Sequence, residues 1–146
     1  MVKALVIGSI LWPLLLASAA WARIEHSSSG WPSLVYLAAS RVCHQRPERS
    51  FHTAGVKWPV CGRCSGLYLA APAGALLGAA VLARRRYSAV RLLIIAAIPT
   101  AITVALEWPH LAEVTNVHRF VTALPLGAAI AYVLVRTASG SREPIE

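Results

Sequence analysis

The sequence predicts an all-α membrane protein: a polytopic bundle of about four transmembrane helices, with a cysteine- and histidine-containing loop between the first and second. Three observations predict it. Of the 146 residues 57% are hydrophobic and only 14% charged, far from the balance of a soluble domain. Four apolar stretches, residues 4–22, 66–83, 89–106 and 118–135, each approach the ~20 residues a helix needs to cross ~30 Å of hydrocarbon. No Asp, Glu, Lys, Arg or His falls near the middle of any of them. The chain therefore reads as one membrane domain, 1–146, whose first partner is the lipid bilayer.

The stretch 4–22 follows Lys3 and closes on Ala20-Trp21-Ala22, an A-x-A-like pattern that also fits a cleaved signal peptide. Its apolar run is longer than a signal peptide needs and it ends in a tryptophan suited to the interface, so retention as the first helix is the preferred reading. Either reading sends Arg23 and the loop beyond it out of the cytoplasm. The loop 23–65 opens with Ser27-Ser28-Ser29-Gly30, a spacer composition. From Trp31 to Val42, the residues Trp31, Leu34, Val35, Ala38 and Val42 recur at helical spacing. A segment of about 12 residues cannot span the bilayer, so a short helix along the membrane surface is expected.

Trp21, Trp31, Trp58 and Trp108 fall at or beyond the proposed outer helix ends, and only Trp12 lies mid-helix. Each proposed helix contains one proline (Pro13, Pro72, Pro99, Pro125), which membrane helices tolerate. Ala70, Gly74 and Gly78 on the second helix and Gly127 and Ala131 on the fourth form small-residue ridges for close packing within the bundle; a homodimer face is the alternative use.

The net charge of +8 does not point to nucleic acid, because basic residues flanking apolar helices are membrane anchors. Arg84-Arg85-Arg86, with Arg91, sits in the tight connection between the second and third helices and reads as a positive-inside signal. Lysines and arginines divide evenly between the two sides, but those on the Arg84 side lie in short segments near helix ends, where the rule is strongest. The expected arrangement is a multi-pass protein of the cell membrane with both termini cytoplasmic and the 23–65 loop outside. A helix interior empty of ionisable groups argues against a pump or coupled transporter.

Chemistry concentrates in Cys43-His44-Gln45-Arg46-Pro47-Glu48-Arg49-Ser50-Phe51-His52 and in Pro59-Val60-Cys61-Gly62-Arg63-Cys64-Ser65-Gly66-Leu67-Tyr68. With four helices, these residues share one side of the bilayer with His26, His110 and His118. Cys61 and Cys64 form a C-x-x-C pair that can present two sulfurs to one ion at ~2.3 Å, and Cys43 with one histidine completes a tetrahedral set for zinc or a similar divalent metal. Adjacent residues do not readily ligate one ion, which favours His52 as the fourth ligand and gives His44 a supporting role. His26, His110 and His118 read as ordinary interfacial residues. The same cysteines allow redox chemistry: Cys61 and Cys64 precede a helix with Arg63 between them, and both features favour the thiolate. Cys43 is then the resolving or exchanging partner. A purely structural disulfide from Cys43 to one of the pair leaves an odd cysteine.

The stretches Cys43 to Phe51 and Pro59 to Tyr68 resemble the C-H-Q-x-P-x-R-S-F and P-V-C-x-R-C-x-G-x-Y motifs of domain-of-unknown-function family 2085, small multi-pass prokaryotic membrane proteins. Thr115-Asn116 with Arg119 and Thr122 is similar to an Asn-x-x-Arg segment before that family's last helix. The resemblance spans roughly Tyr36 to Ala131. Ala70 and Ala123 stand where glycines are usual, and Glu107-Trp108 stands where many members have Asp-Gly, so no role of that aspartate is carried over. Membership implies a multi-pass membrane protein with a cysteine-rich loop and brings no established activity.

The leading expectation is thus a loop-borne metal site formed by Cys43, Cys61, Cys64 and His52 or His44. Arg46, Arg49, Arg63 and Arg119 would crowd near it, able to bind an anionic headgroup or another acidic ligand. The alternative is a thiol-disulfide oxidoreductase passing electrons between Cys61/Cys64 and a membrane quinone, by analogy with the bacterial inner-membrane disulfide oxidase. The missing fourth cysteine counts against it. A small transporter or accessory subunit is the third reading, disfavoured by the empty membrane interior; the expected partners beyond lipid are a second copy of the chain or another membrane protein.

Overall fold

The computed structural model describes residues 1–25, 30–80, 88–108 and 111–139. Helix α1 covers Val2–Ile24 and α2 covers Trp31–Ser40; a 3-10 turn, Pro47–Arg49, leads into strand β1, Ser50–Thr53. Strand β2, Val56–Cys61, runs straight into α3, Gly62–Ala80, followed by α4, Ala89–Glu107, and α5, Asn116–Ala138.

The helices form where composition predicts them, and their ends are set by caps. Ser88 Oγ accepts the Arg91 N–H at the start of α4, and Thr115 Oγ1 accepts the His118 N–H at the start of α5, two residues before the expected start. At α1 the apolar run extends to Ile24, where Trp21 Nε1 donates to Glu25. The short helix expected from Trp31 is present as α2, with Pro32 in its first turn, and it ends at Ser40 rather than Val42. The second predicted helix starts at Gly62 rather than residue 66, which places Arg63 and Cys64 on helical backbone rather than in the loop. Ser27–Ser29, His26, Arg84–Arg86, His110 and Arg142 lie outside the described residues.

Helices α1, α4 and α5 are long and apolar enough to cross a membrane. Helix α3, at 19 residues as long as α4, is not among them, because Arg63, Pro72 and its glycines lower its hydropathy. The expected four spanning helices are therefore three by this measure among the described residues, with α3 the fourth member of the bundle. Ile94, Ile95, Ile98 and Ile102 of α4 are exposed, an apolar outer face suited to lipid.

Helix α3 packs most extensively on α5, with α1 against α3 on one side and α4 against α5 on the other. Glycine makes the α3–α5 approach possible. A Cβ at Gly66 would run into the Phe120 carbonyl, one at Gly74 into the Ala128 carbonyl, and one at Gly127 into that of Leu67. The small-residue ridges are thus used inside the protomer. Helix α4 is tied to α5 by Thr100 Oγ1, which donates to the Thr122 carbonyl at 2.8 Å.

Sequence reading did not anticipate the β1–β2 hairpin. Its two-residue turn, Ala54-Gly55, has φ of 50° and 77°, the positive values a type I′ connection requires. The hairpin sets Ser50 opposite Cys61. It lies, with α2, at the end of the bundle where α1 and α4 finish and α3 and α5 begin.

Candidate thiol and arginine sites

Three elements converge to bring the cysteines together. Cys43 follows α2, Cys61 is the last residue of β2, and Cys64 lies in the first turn of α3. Their sulfurs all lie within 4.8 Å of one another. Cys43 is buried among Leu16, Ala19, Val35, Tyr36, Ala39 and Val60, while Cys61 and Cys64 are half-buried.

Gln45 holds the loop in this shape. Its φ of 50° turns the chain back so that its N–H faces the Cys43 sulfur at 3.5 Å, and the Cys61 N–H approaches the same sulfur at 3.2 Å. A closed set of hydrogen bonds locks the turn. The Gln45 side-chain amide donates to the Tyr36 carbonyl at 2.7 Å, Lys57 Nζ to the Gln45 carbonyl at 2.8 Å, and the Tyr36 hydroxyl to the Lys57 carbonyl at 2.5 Å. Hydrogen bonds from the Cys61 and Cys64 thiols, then from the backbone N–H groups of Cys61 and Gln45, hold the Cys43 thiol well below the usual thiol range, against the opposing effect of burial. Cys43 is thus the thiol whose surroundings favour the thiolate.

The histidines take other positions. His44 and His52 are exposed and supply no atom to the cysteine group; His52 Nδ1 sits 3.1 Å from the Ser50 carbonyl of its own strand. His118 is exposed in the first turn of α5, with Nδ1 2.9 Å from Thr115 Oγ1.

A second cluster adjoins the first through Arg63, which lies between Cys61 and Cys64 in the chain. The carboxylate of Glu107, at the end of α4, receives Arg49 at 3.0 Å, Arg63 at 2.8 Å and Arg119 at 2.9 Å. Asn116 orients the set: its side-chain oxygen accepts from Arg119 at 2.6 Å and its amide donates to the Ser50 carbonyl at 3.0 Å. Arg46 stands apart and exposed, and its carbonyl accepts the Ser50 hydroxyl at 2.8 Å. Sequence reasoning singled out the arginines and the cysteines but missed Tyr36, Gln45 and Lys57 as their supports, and Glu107 as the shared partner. The signal for Glu107 was its isolation, an acid at a helix end in a strongly basic chain.

The family described as Predicted membrane protein (DUF2085) matches residues 43–133, a span that starts at Cys43 and contains both clusters. The chain is 37% identical over 98 residues to an uncharacterized protein of Methanothermobacter thermautotrophicus, covering 67% of this chain and 88% of that protein. It is 29% identical over 120 residues to the uncharacterized protein MJ1492 of Methanocaldococcus jannaschii, covering 79% and 77%. No solved structure matches. With apolar helices of membrane-spanning length and a family match over more than half its residues, the chain belongs to the Predicted membrane protein (DUF2085) family.

Proposed function

We propose that the protein is a membrane-embedded metal-binding protein in which Cys43, Cys61 and Cys64 hold one zinc-like divalent ion at the membrane surface. The observation that carries this reading is the trio of sulfurs within 4.8 Å. In a tetrahedral site with ~2.3 Å bonds the sulfurs stand ~3.8 Å apart, so a small contraction closes the group on an ion. A thiolate at Cys43 and three soft sulfur donors suit zinc better than a hard cation. With His44 and His52 exposed beside the group, the fourth position is left to water or an incoming ligand, as in zinc sites with three protein ligands. The ion ties α2, the hairpin and α3 together and folds the loop over the helix ends.

The test is the metal content of the purified, full-length protein. About one zinc per chain, lost in Cys61→Ser and kept in His44→Ala and His52→Ala, is the expected result. Loss in one of the histidine variants would assign the fourth position to that histidine. A metal-free protein with a reducible Cys61–Cys64 disulfide would refute the metal reading.

That last outcome would favour a thiol-disulfide oxidoreductase, in which two thiols form a disulfide and pass two electrons and two protons to a quinone. One observation supports it: an apolar cavity of about 260 Å³ lined by Leu5, Leu67, Tyr68, Ala71, Gly127 and Ile130, where Tyr68 also packs against the cluster that buries Cys43. The proposed topology has both termini cytoplasmic and the thiol loop outside, in the cell membrane. Labelling of Cys64 in whole cells by a membrane-impermeant thiol reagent, after chelation, is expected; protection until the cells are opened would invert the topology. Association into a homodimer would have to use surfaces other than the α3 glycine face, which α5 covers.

A further inference from the structure

The Glu107 cluster holds more positive charge than it neutralises. Three guanidinium groups converge on one carboxylate, and Glu107 is the sole acid paired with them among the described residues. Two positive charges are left in excess. Glu107, Arg63 and Arg119 are largely shielded, their side chains 13%, 18% and 11% exposed, so bulk water does little to screen that excess. Arg63 Nε is buried without a hydrogen-bond partner, a donor of the kind that folded proteins leave unsatisfied only rarely. Arg49, at 39% exposure, forms the open side of the cluster.

We infer that Arg49, Arg63 and Arg119 form a binding site for a phosphate group, with Glu107 as the internal carboxylate that holds the guanidinium groups together and competes with the ligand. Planar guanidinium forks match the oxygens of phosphate in pairs, and several forks aimed at one point are the arrangement that recognises a tetrahedral oxyanion. Glu107 and Arg119 lie at the ends of α4 and α5, with Arg49 in the adjoining loop, so a bilayer spanned by these two helices would hold the cluster where lipid headgroups meet water, and the phosphate comes either from an anionic lipid or from solution. Glu107 keeps the arginines from dispersing when the site is free. Asn116 fixes Arg119 against the hairpin, so occupancy of the site braces α4, α5 and the loop against one another.

The test uses full-length protein in a neutral maltoside detergent. Inorganic phosphate is titrated by calorimetry, and phosphatidylglycerol and phosphatidylcholine are compared by native mass spectrometry. Arg49→Gln removes the exposed arm, and an unchanged circular dichroism melt confirms its fold; affinity is expected to fall by about tenfold or more. Glu107→Gln removes the competing charge while keeping a polar side chain of the same shape, and affinity is expected to rise by about tenfold. Binding of inorganic phosphate together with phosphatidylglycerol identifies the phosphate group itself as the ligand; binding of phosphatidylglycerol alone identifies a lipid headgroup. Failure of both to bind either the parent protein or Glu107→Gln overturns the inference. So does a Glu107→Gln protein with unchanged affinity, or an Arg49→Gln protein that binds as well as the parent.

Discussion

Replacing single glycines by alanine tests how the bundle is held together, because the same added methyl meets three different surroundings. At Gly8 in α1 a new Cβ meets nothing within 4 Å. At Gly78 in α3 it would stand 2.9 Å from the Tyr132 carbonyl oxygen and 3.2 Å from Val135 Cβ, short of contact by a few tenths of an ångström. At Gly74 it would be driven into the Ala128 carbonyl, and backbone cannot swing aside as a side chain can. Gly8→Ala therefore yields only the propensity gain, at most about 1 kcal/mol. In Gly78→Ala the methyl also meets backbone, though less deeply, so α5 must shift by a few tenths of an ångström and the variant is expected to lose about 1 kcal/mol net. Gly74→Ala forces α3 and α5 apart and costs about 1–3 kcal/mol, as overpacking does in tight cores. Unfolding in mixed micelles, followed by tryptophan fluorescence, measures the three. The expected order of stability is Gly8→Ala, then Gly78→Ala, then Gly74→Ala. A Gly74→Ala protein as stable as Gly8→Ala would refute close α3–α5 contact.

Two more predictions concern the thiol group and the helix bundle. The Cys43 thiol is held low in the folded protein, so its contribution is complete above the ordinary thiol value near 8.5 and is lost as pH falls below it. Reduced, metal-free protein is expected to lose up to about 1.4 kcal/mol per pH unit from this group between pH 8 and pH 6, a slope that Cys43→Ser abolishes; equal slopes in both proteins would contradict the thiolate assignment. Thr100→Val removes one of the hydrogen bonds that join α4 to α5 and is expected to cost about 0.6–1.7 kcal/mol in detergent unfolding, whereas no loss would mean that apolar packing and the Arg119–Glu107 ion pair seat α4 without it.

Most of the helical architecture was legible in the chain because the bilayer acts on local composition. A run such as Ala89–Glu107 declares itself by length and hydropathy whatever it packs against. The hairpin was not legible. Pro59 weakens the case for a strand, and Ala54-Gly55 lacks the Asn-Gly signature of a two-residue turn, although the backbone adopts that turn. The three cysteines were legible as a set from C-x-x-C and one further cysteine. The exposed placement of His44 and His52 was not, since it depends on how the Gln45 turn and β1 present each side chain. The four-residue recurrence of small residues on α3 was visible, but α5 as its occupant was not.

The sequence by itself determined that this chain resides in a membrane, that its thiols and three of its four candidate site arginines lie in one short stretch, residues 43–64, and that small residues let its helices meet closely. These are properties of local composition and spacing. Only the tertiary structure decided that Cys43 is a buried sulfur encircled by donors, and that Glu107 gathers arginines from the loop, α3 and α5. The reason is physical: a thiolate or a carboxylate is defined by the partners within a few ångströms of it, and here those partners come from segments far apart in the chain.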